Sequence, residues 1–98
     1  MEIIKKQDGS KLDITVKGRL DTITAPQLEE ELRDLENGVT ELTMDLGDLE
    51  YISSAGLRVL LMAQKIMNQQ GKMEIRNVTP EVMEIFEVTG FVDILKIV

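Results

Sequence analysis

Between Lys11 and Lys17 apolar and polar residues alternate strictly, Leu12, Ile14 and Val16 on one side and Asp13 and Thr15 on the other, which is the period of a strand with one buried face. A shorter apolar run around Ile3 and Ile4 precedes it, and Asp8-Gly9 between them is the signature of a tight turn, so the chain is expected to open with a β-hairpin. After Gly18 the period lengthens. Ile23, Leu28, Leu32 and Leu35 recur at helical spacing, Thr24 and Gln27 form a capping-box pair, and Asn37-Gly38 supplies a stop, which predicts a first helix from about Ala25 to about Glu36.

Leu42, Met44 and Leu46 alternate with Thr43 and Asp45 as a strand, and Gly47-Asp48 begins a loop. From Ala55 to Met67 good helix formers predominate, apolar around much of the helix girth. Gly71 ends this second helix. Met73 and Ile75 then alternate with Lys72, Glu74 and Arg76 as a strand, and Thr79-Pro80 starts a third helix that runs to Gly90. A last short strand is expected over Ile94 to Val98. Strands separated by single helices predict an α/β fold, a single domain over residues 1–98 whose mixed sheet is mostly parallel apart from the N-terminal hairpin.

The composition narrows the function. Eleven Lys and Arg against 18 Asp and Glu leave a net charge of −7, so nucleic acid and anionic membrane surfaces are excluded as expected partners. The 98 residues hold no cysteine and no histidine, which removes disulfides, thiol nucleophiles, thiolate zinc sites and imidazole acid–base chemistry. The expectation is a protein that is not an enzyme and needs no cofactor. No segment approaches the roughly 20 apolar residues of a membrane helix and the N-terminus lacks the apolar run of a signal peptide, so a cytoplasmic location is expected. On that basis the sequon Asn77-Val78-Thr79 is a chance match.

Candidate chemistry concentrates between Asp45 and Leu57, where a strand leads through a loop into the second helix. The first turn of a helix leaves N–H groups unpaired at the positive end of the macrodipole and can accept a hydroxyl cap or a phosphate. Ser53 and Ser54 sit there. From spacing alone one of them is the N-cap and Gly56 permits close packing. Asp45, Asp48 and Glu50 supply oxygen ligands nearby, but their spacing fits no metal-binding loop, and no metal is expected. The methionines fall at apolar positions of the periodic segments and read as core filler.

The stretch Tyr51-Ile52-Ser53-Ser54-Ala55-Gly56-Leu57-Arg58-Val59-Leu60-Leu61 resembles the phosphorylation-loop signature of STAS-type anti-sigma factor antagonists. Gly18-Arg19-Leu20-Asp21, Leu42 to Leu49 and Pro80 to Val98 resemble other parts of that family in the same order, so the resemblance covers nearly the whole chain. It departs in two ways. The sequence stops near the last strand, where many relatives continue into another helix, and Ser53 stands where the family commonly has the aspartate that precedes the acceptor serine. The resemblance implies a STAS fold and phosphorylation at Ser54. It also implies a partner-binding surface drawn from Asp21, Ser53, Ser54, Ala55, Gly56 and Leu57, and a protein partner that is both anti-sigma factor and serine kinase.

Three functions remain to be separated. The first is an anti-sigma factor antagonist, expected to be a monomer, whose binding is switched off by phosphate on Ser54. The second is a non-phosphorylated STAS scaffold, or regulatory subunit of a stress-signalling complex or transporter ATPase, which the Ser53 substitution keeps open. The third, a hydrolase with Ser54 as nucleophile, lacks a histidine to activate it. Asp21 is open between a contact to the partner and a solvated turn carboxylate.

Overall fold

A computed structural model describes residues 1–98. Strand β1 (Glu2–Asp8) turns at Gly9, with φ of +61°, into β2 (Lys11–Leu20), and the two pair antiparallel. Helix α1 (Ala25–Glu31), β3 (Glu41–Asp45), β4 (Leu49–Ile52), α2 (Ser54–Gln70), β5 (Lys72–Arg76) and α3 (Pro80–Thr89) follow, and a 3₁₀ turn covers Phe91–Asp93. The main path of the sheet runs β1-β2-β3-β5. β3 lies parallel to β2 from Lys11 opposite Glu41 to Thr15 opposite Asp45, and β5 lies parallel to β3. Further along β2, β4 pairs parallel from Gly18 opposite Leu49 to Leu20 opposite Ile52, with a break in register between Gly18 and Arg19. The mixed, mostly parallel sheet with an opening hairpin is the expected one.

Alternation sorts the sheet into two faces. Leu12, Ile14, Val16, Leu42, Met44, Met73 and Ile75 are all buried and turn toward the helices. Leu28 of α1, Leu60, Ala63 and Met67 of α2, and Val82 and Phe86 of α3 close the same core. The opposite face carries charge. Lys11, Glu41 and Lys72 stand in one cross-strand row, with Glu41 carboxylate oxygens 3.7 Å and 3.3 Å from the two ammonium groups. Opposite charges facing one another across strands stabilise the pairing modestly and keep this face in water. Met44, Met67 and Met73 are core residues and Met62 packs on the core's edge. No helix is long and apolar enough to cross a membrane.

The third helix follows the sequence signals closely. The Thr79 hydroxyl accepts from the Val82 N–H at 3.3 Å, Pro80 takes the first helical position, and Gly90 leaves the helix left-handed at φ of +81°. Four expectations are corrected. The first helix stops at Glu31 rather than near Glu36, because beyond it the N–H groups of Arg33, Leu35 and Asn37 bond three residues back and the chain tightens into successive turns. Leu32, Leu35 and Val39 are buried along this path, and the Gln70 amide of α2 donates to the carbonyls of Leu35 and Val39 at 2.6 Å each. A donor from another element thus takes up two carbonyls that local bonding leaves free.

The Thr24–Gln27 capping box does not form; the Thr24 hydroxyl donates backward to the Arg19 carbonyl at 2.7 Å. The segment read as loop after Gly47 contains β4, whose four residues bury Leu49 and Ile52 and expose the two between. A spacing of three departs from the strand period of two and belongs instead to the helical pattern. The last strand is reduced to one bridge: Ile97 lies opposite Ile75, with the Ile75 N–H donating to Lys96 and the Val98 N–H to Ile75. The 3₁₀ turn and the inward-facing Leu95, whose N–H bonds Phe91, occupy the residues before it.

Gln64 of α2 is the single buried polar side chain, 6% exposed; its amide nitrogen donates to Asn68 at 2.8 Å while its Oε1 finds no partner. Replacing it with Leu removes an unsatisfied oxygen from an apolar setting. Gln64→Leu is expected to raise unfolding stability by about 1 kcal/mol, measured by urea denaturation.

Candidate functional site at the start of the second helix

β4 carries Ile52 into the core and delivers Ser53 in extended conformation, φ −95° and ψ 176°. The Ser53 N–H donates to the Leu20 carbonyl at 2.9 Å, and its hydroxyl oxygen accepts from the Gly56 N–H at 3.4 Å. Ser53 is therefore the N-cap, which resolves the choice that spacing left open. Ser54 is the first residue of α2; it is exposed, and its hydroxyl engages in no hydrogen bond within the chain. The two serines are thus divided between a structural role and a free hydroxyl at the positive end of a 17-residue helix.

Gly56 explains how that end is held. A Cβ there would lie 2.7 Å from Leu20 Cγ, 2.8 Å from Ile52 Cγ1 and 3.0 Å from the Leu20 carbonyl oxygen. Any side chain would push the first turn of α2 off β2. Of the six residues drawn from the sequence, Gly56 and Leu57 are buried, Ala55 and Ser53 are half-buried, and Ser54 is exposed. The solvent-facing surface at the helix start is formed by Ser54, the edge of Ala55 and, one turn on, Arg58.

Asp21 stands beside this end, one residue past the Leu20 carbonyl that receives Ser53. Its Oδ1 accepts from the N–H groups of Ile23 and Thr24, both at 3.0 Å, and its own N–H donates to the Thr24 hydroxyl oxygen at 2.8 Å. The Thr24 backbone hydrogen bond is the main cause holding the Asp21 carboxyl below its usual pKa, with Ile23, the Thr24 hydroxyl and the Arg19 guanidinium adding to it. One carboxylate oxygen is thus spent on the turn. The other lies 3.9 Å from Arg19 Nε on the open side.

Three neighbours were not singled out by sequence. Arg19 and Tyr51 are register partners on β2 and β4, and the guanidinium lies 4.6 Å from the ring centre, a cation–π contact at the surface. Ile23 projects from the Asp21 turn at 83% exposed. Arg and Tyr are residue types that anchor protein interfaces, but the pairing that joins them depends on β4, which the sequence pattern concealed. Arg58 lines an open groove of about 440 Å³ between α1 and α2 together with Thr22, Ala55 and Met62.

The acidic residues do not assemble into a metal site. Asp45 accepts from the Gly47 N–H at 2.9 Å and from the Asn77 amide at 3.0 Å, Asp48 faces Lys17 at 3.7 Å, and no group of three potential ligands converges. The arrangement offers a hydroxyl without a hydrogen-bonded base at the start of a helix.

Comparison with known proteins agrees with this reading of the fold. The family model described as Mlab, STAS domain matches residues 4–96. BtrV of Bordetella bronchiseptica is 40% identical over 84 residues, covering 84% of this chain and 72% of BtrV. The anti-sigma-B factor antagonist of Listeria monocytogenes is 34% identical over 97 residues, 96% of this chain and 84% of that protein. Among solved structures, the Bacillus cell fate determinant SpoIIAA in its phosphorylated form superimposes with a TM-score of 0.78 at 16% identity, over 99% of this chain and 91% of that one. At that identity the likeness is one of fold.

Two outcomes test the local geometry. Gly56→Ala is expected to destabilise the protein by about 2 kcal/mol through overpacking against Leu20 and Ile52, seen as a lower denaturation midpoint. Because the Asp21 carboxyl is more acidic folded than unfolded, its contribution to stability is present above about pH 4. It is lost as pH falls through the lowered folded value. The stability difference between wild type and Asp21→Ala should therefore be largest near neutrality and shrink below pH 4, as followed by thermal unfolding across that range.

Proposed function

The chain belongs to the STAS-domain family, and on that premise we propose that it is an anti-sigma factor antagonist whose binding is switched off by phosphorylation of Ser54. In the unmodified state it binds an anti-sigma factor that is also a serine kinase, acting in the cytoplasm as a monomer, and so releases a sigma factor. ATP and magnesium belong to the kinase. The observation that carries this reading is the exposed Ser54 hydroxyl, left without an internal partner because Ser53 provides the cap of α2. The names of the Listeria relative, an anti-sigma-B factor antagonist, and of the phosphorylated SpoIIAA structure support it.

The physical consequence of phosphate at this position has two sides. Within the chain, roughly 1.5 to 2 added negative charges fall on the positive end of a helix dipole, so the fold tolerates them. Across an interface built for a neutral hydroxyl the same charges are unfavourable. Glu50, exposed on β4 three residues before Ser53, adds to the local negative potential. A loss of about 3 kcal/mol weakens binding more than a hundredfold.

Ser53 in place of the family's usual aspartate keeps a second reading, a STAS scaffold that is never phosphorylated. Affinity for the anti-sigma kinase of the same genome, measured by calorimetry for wild type, Ser54→Ala and Ser54→Asp, separates the two. The switch predicts that Ser54→Ala binds like wild type and that Ser54→Asp binds at least tenfold more weakly. Equal affinity of all three proteins would leave Ser54 a bystander and favour the scaffold.

A further inference from the structure

Arginine is scarce in this chain, and its four copies are used differently. Arg19 faces Asp21, Arg33 pairs with Glu30, and Arg76 donates to Glu74 at 3.3 Å. Arg58 has no ion pair and no hydrogen bond, although it is exposed at the helix start of a protein with 18 acidic residues. Glu29 of α1 lines the same groove without pairing with it. Asp21, on the turn before α1, is committed to Ile23, Thr24 and Arg19.

Position explains what such an arginine is suited to. Arg58 lies four residues after Ser54 on one continuous helix, so the two side chains share a face. Helical side chains lean toward the N-terminus, so the Arg58 guanidinium is within reach of the turn that begins at Ser54. An acid at i with a base at i+4 is also the favourable order, with the acid at the positive end of the dipole. A guanidinium binds a carboxylate or a phosphate through two parallel N–H donors, one anion at a time.

We infer that Arg58 is the second half of the switch: it meets a carboxylate of the partner while Ser54 is unmodified, and it turns back one helical turn onto the phosphate when Ser54 is phosphorylated. Modification then withdraws a contact from the partner as well as adding a repulsive charge. The inference deepens the proposed function and rests on it. It assigns Arg58 a specificity role that the phosphate-bearing residue alone does not explain.

The pair within the chain is tested without any partner. Phosphoserine is installed at position 54 by stop-codon suppression, and its second ionisation, near pH 6 in free phosphoserine, is followed by ³¹P NMR in three backgrounds. A guanidinium beside the phosphate favours the dianion, so Arg58→Gln should raise the midpoint by roughly 0.3 pH unit or more. Lys65→Gln, an exposed and unpaired cation two turns further along α2, should leave it unchanged. Identical titrations in wild type and Arg58→Gln overturn the pair.

The partner contact is tested by affinity. Arg58→Gln in the unmodified protein should bind the anti-sigma kinase about tenfold more weakly, and the penalty that phosphoserine imposes should shrink by a similar factor in that background. Unchanged affinity of unmodified Arg58→Gln, with circular dichroism showing an intact fold, overturns the contact. Equal affinity of phosphorylated and unmodified wild type instead overturns the switch of the preceding subsection, and the ³¹P titration still decides whether Arg58 holds the phosphate.

Discussion

The first turn of α2 rests directly on the end of β2, with Gly56 against Leu20 and Ile52 and the Ser53 N–H on the Leu20 carbonyl. Most of the site depends on that contact. The missing side chain at Gly56 lets helix and strand approach within the reach of a single Cβ. Ile52 opposite Leu20 extends the sheet into β4, and the same pairing sets Ser53 as a cap and leaves the Ser54 hydroxyl outside. The turn held by Asp21 leaves β2 at the same point, so the acidic residue and the serine face solvent side by side without touching through their side chains. A rigid backbone contact thus holds the start of α2 in place while leaving the Ser54 hydroxyl in solvent.

Electrostatics are distributed in keeping with this. The sheet face away from the helices is occupied by a lattice of opposite charges, Lys11, Glu41 and Lys72 in one row and Glu74 shared by Arg76 and Lys96. The Glu74 carboxyl is held below its usual pKa chiefly by the Arg76 hydrogen bond, with Lys96 adding to it. Such a face is solvated and weakly adhesive. At the other end of the molecule the arginines are Arg19, stacked on Tyr51, and the unpaired Arg58. Strong net negative charge combined with a few presented cations suits association with a partner chosen by local complementarity rather than by bulk attraction.

Local rules succeeded where the determinant lies within a few residues in the chain. Thr79, Pro80 and Gly90 bounded α3 because a cap, a proline at the first helical position and a left-handed glycine act on their immediate neighbours. The hairpin and the buried face of β2 were legible for the same reason. The end of α1 was not, because Gln70, more than 30 residues away, supplies the donor for the carbonyls of Leu35 and Val39. β4 was missed because Leu49 and Ile52 are both inward at a spacing of three, which only its pairing with β2 across the register break between Gly18 and Arg19 makes intelligible.

What the sequence by itself determined was the order and type of the main elements, the one-sided burial of the strands, the absence of thiol and imidazole chemistry, and the location of the serine pair at a helix start. These follow from periodicity, local conformational preference and residue inventory, each of which acts over a few residues. Tertiary structure alone decided which serine caps the helix, why position 56 has no room for a side chain, how Asp21 divides its two oxygens, and that Arg19 stacks on Tyr51 while Arg58 remains unpaired. Each of those outcomes depends on the meeting of groups far apart along the chain or on the geometry of a particular turn, and neither is set by the pattern of apolar and polar residues.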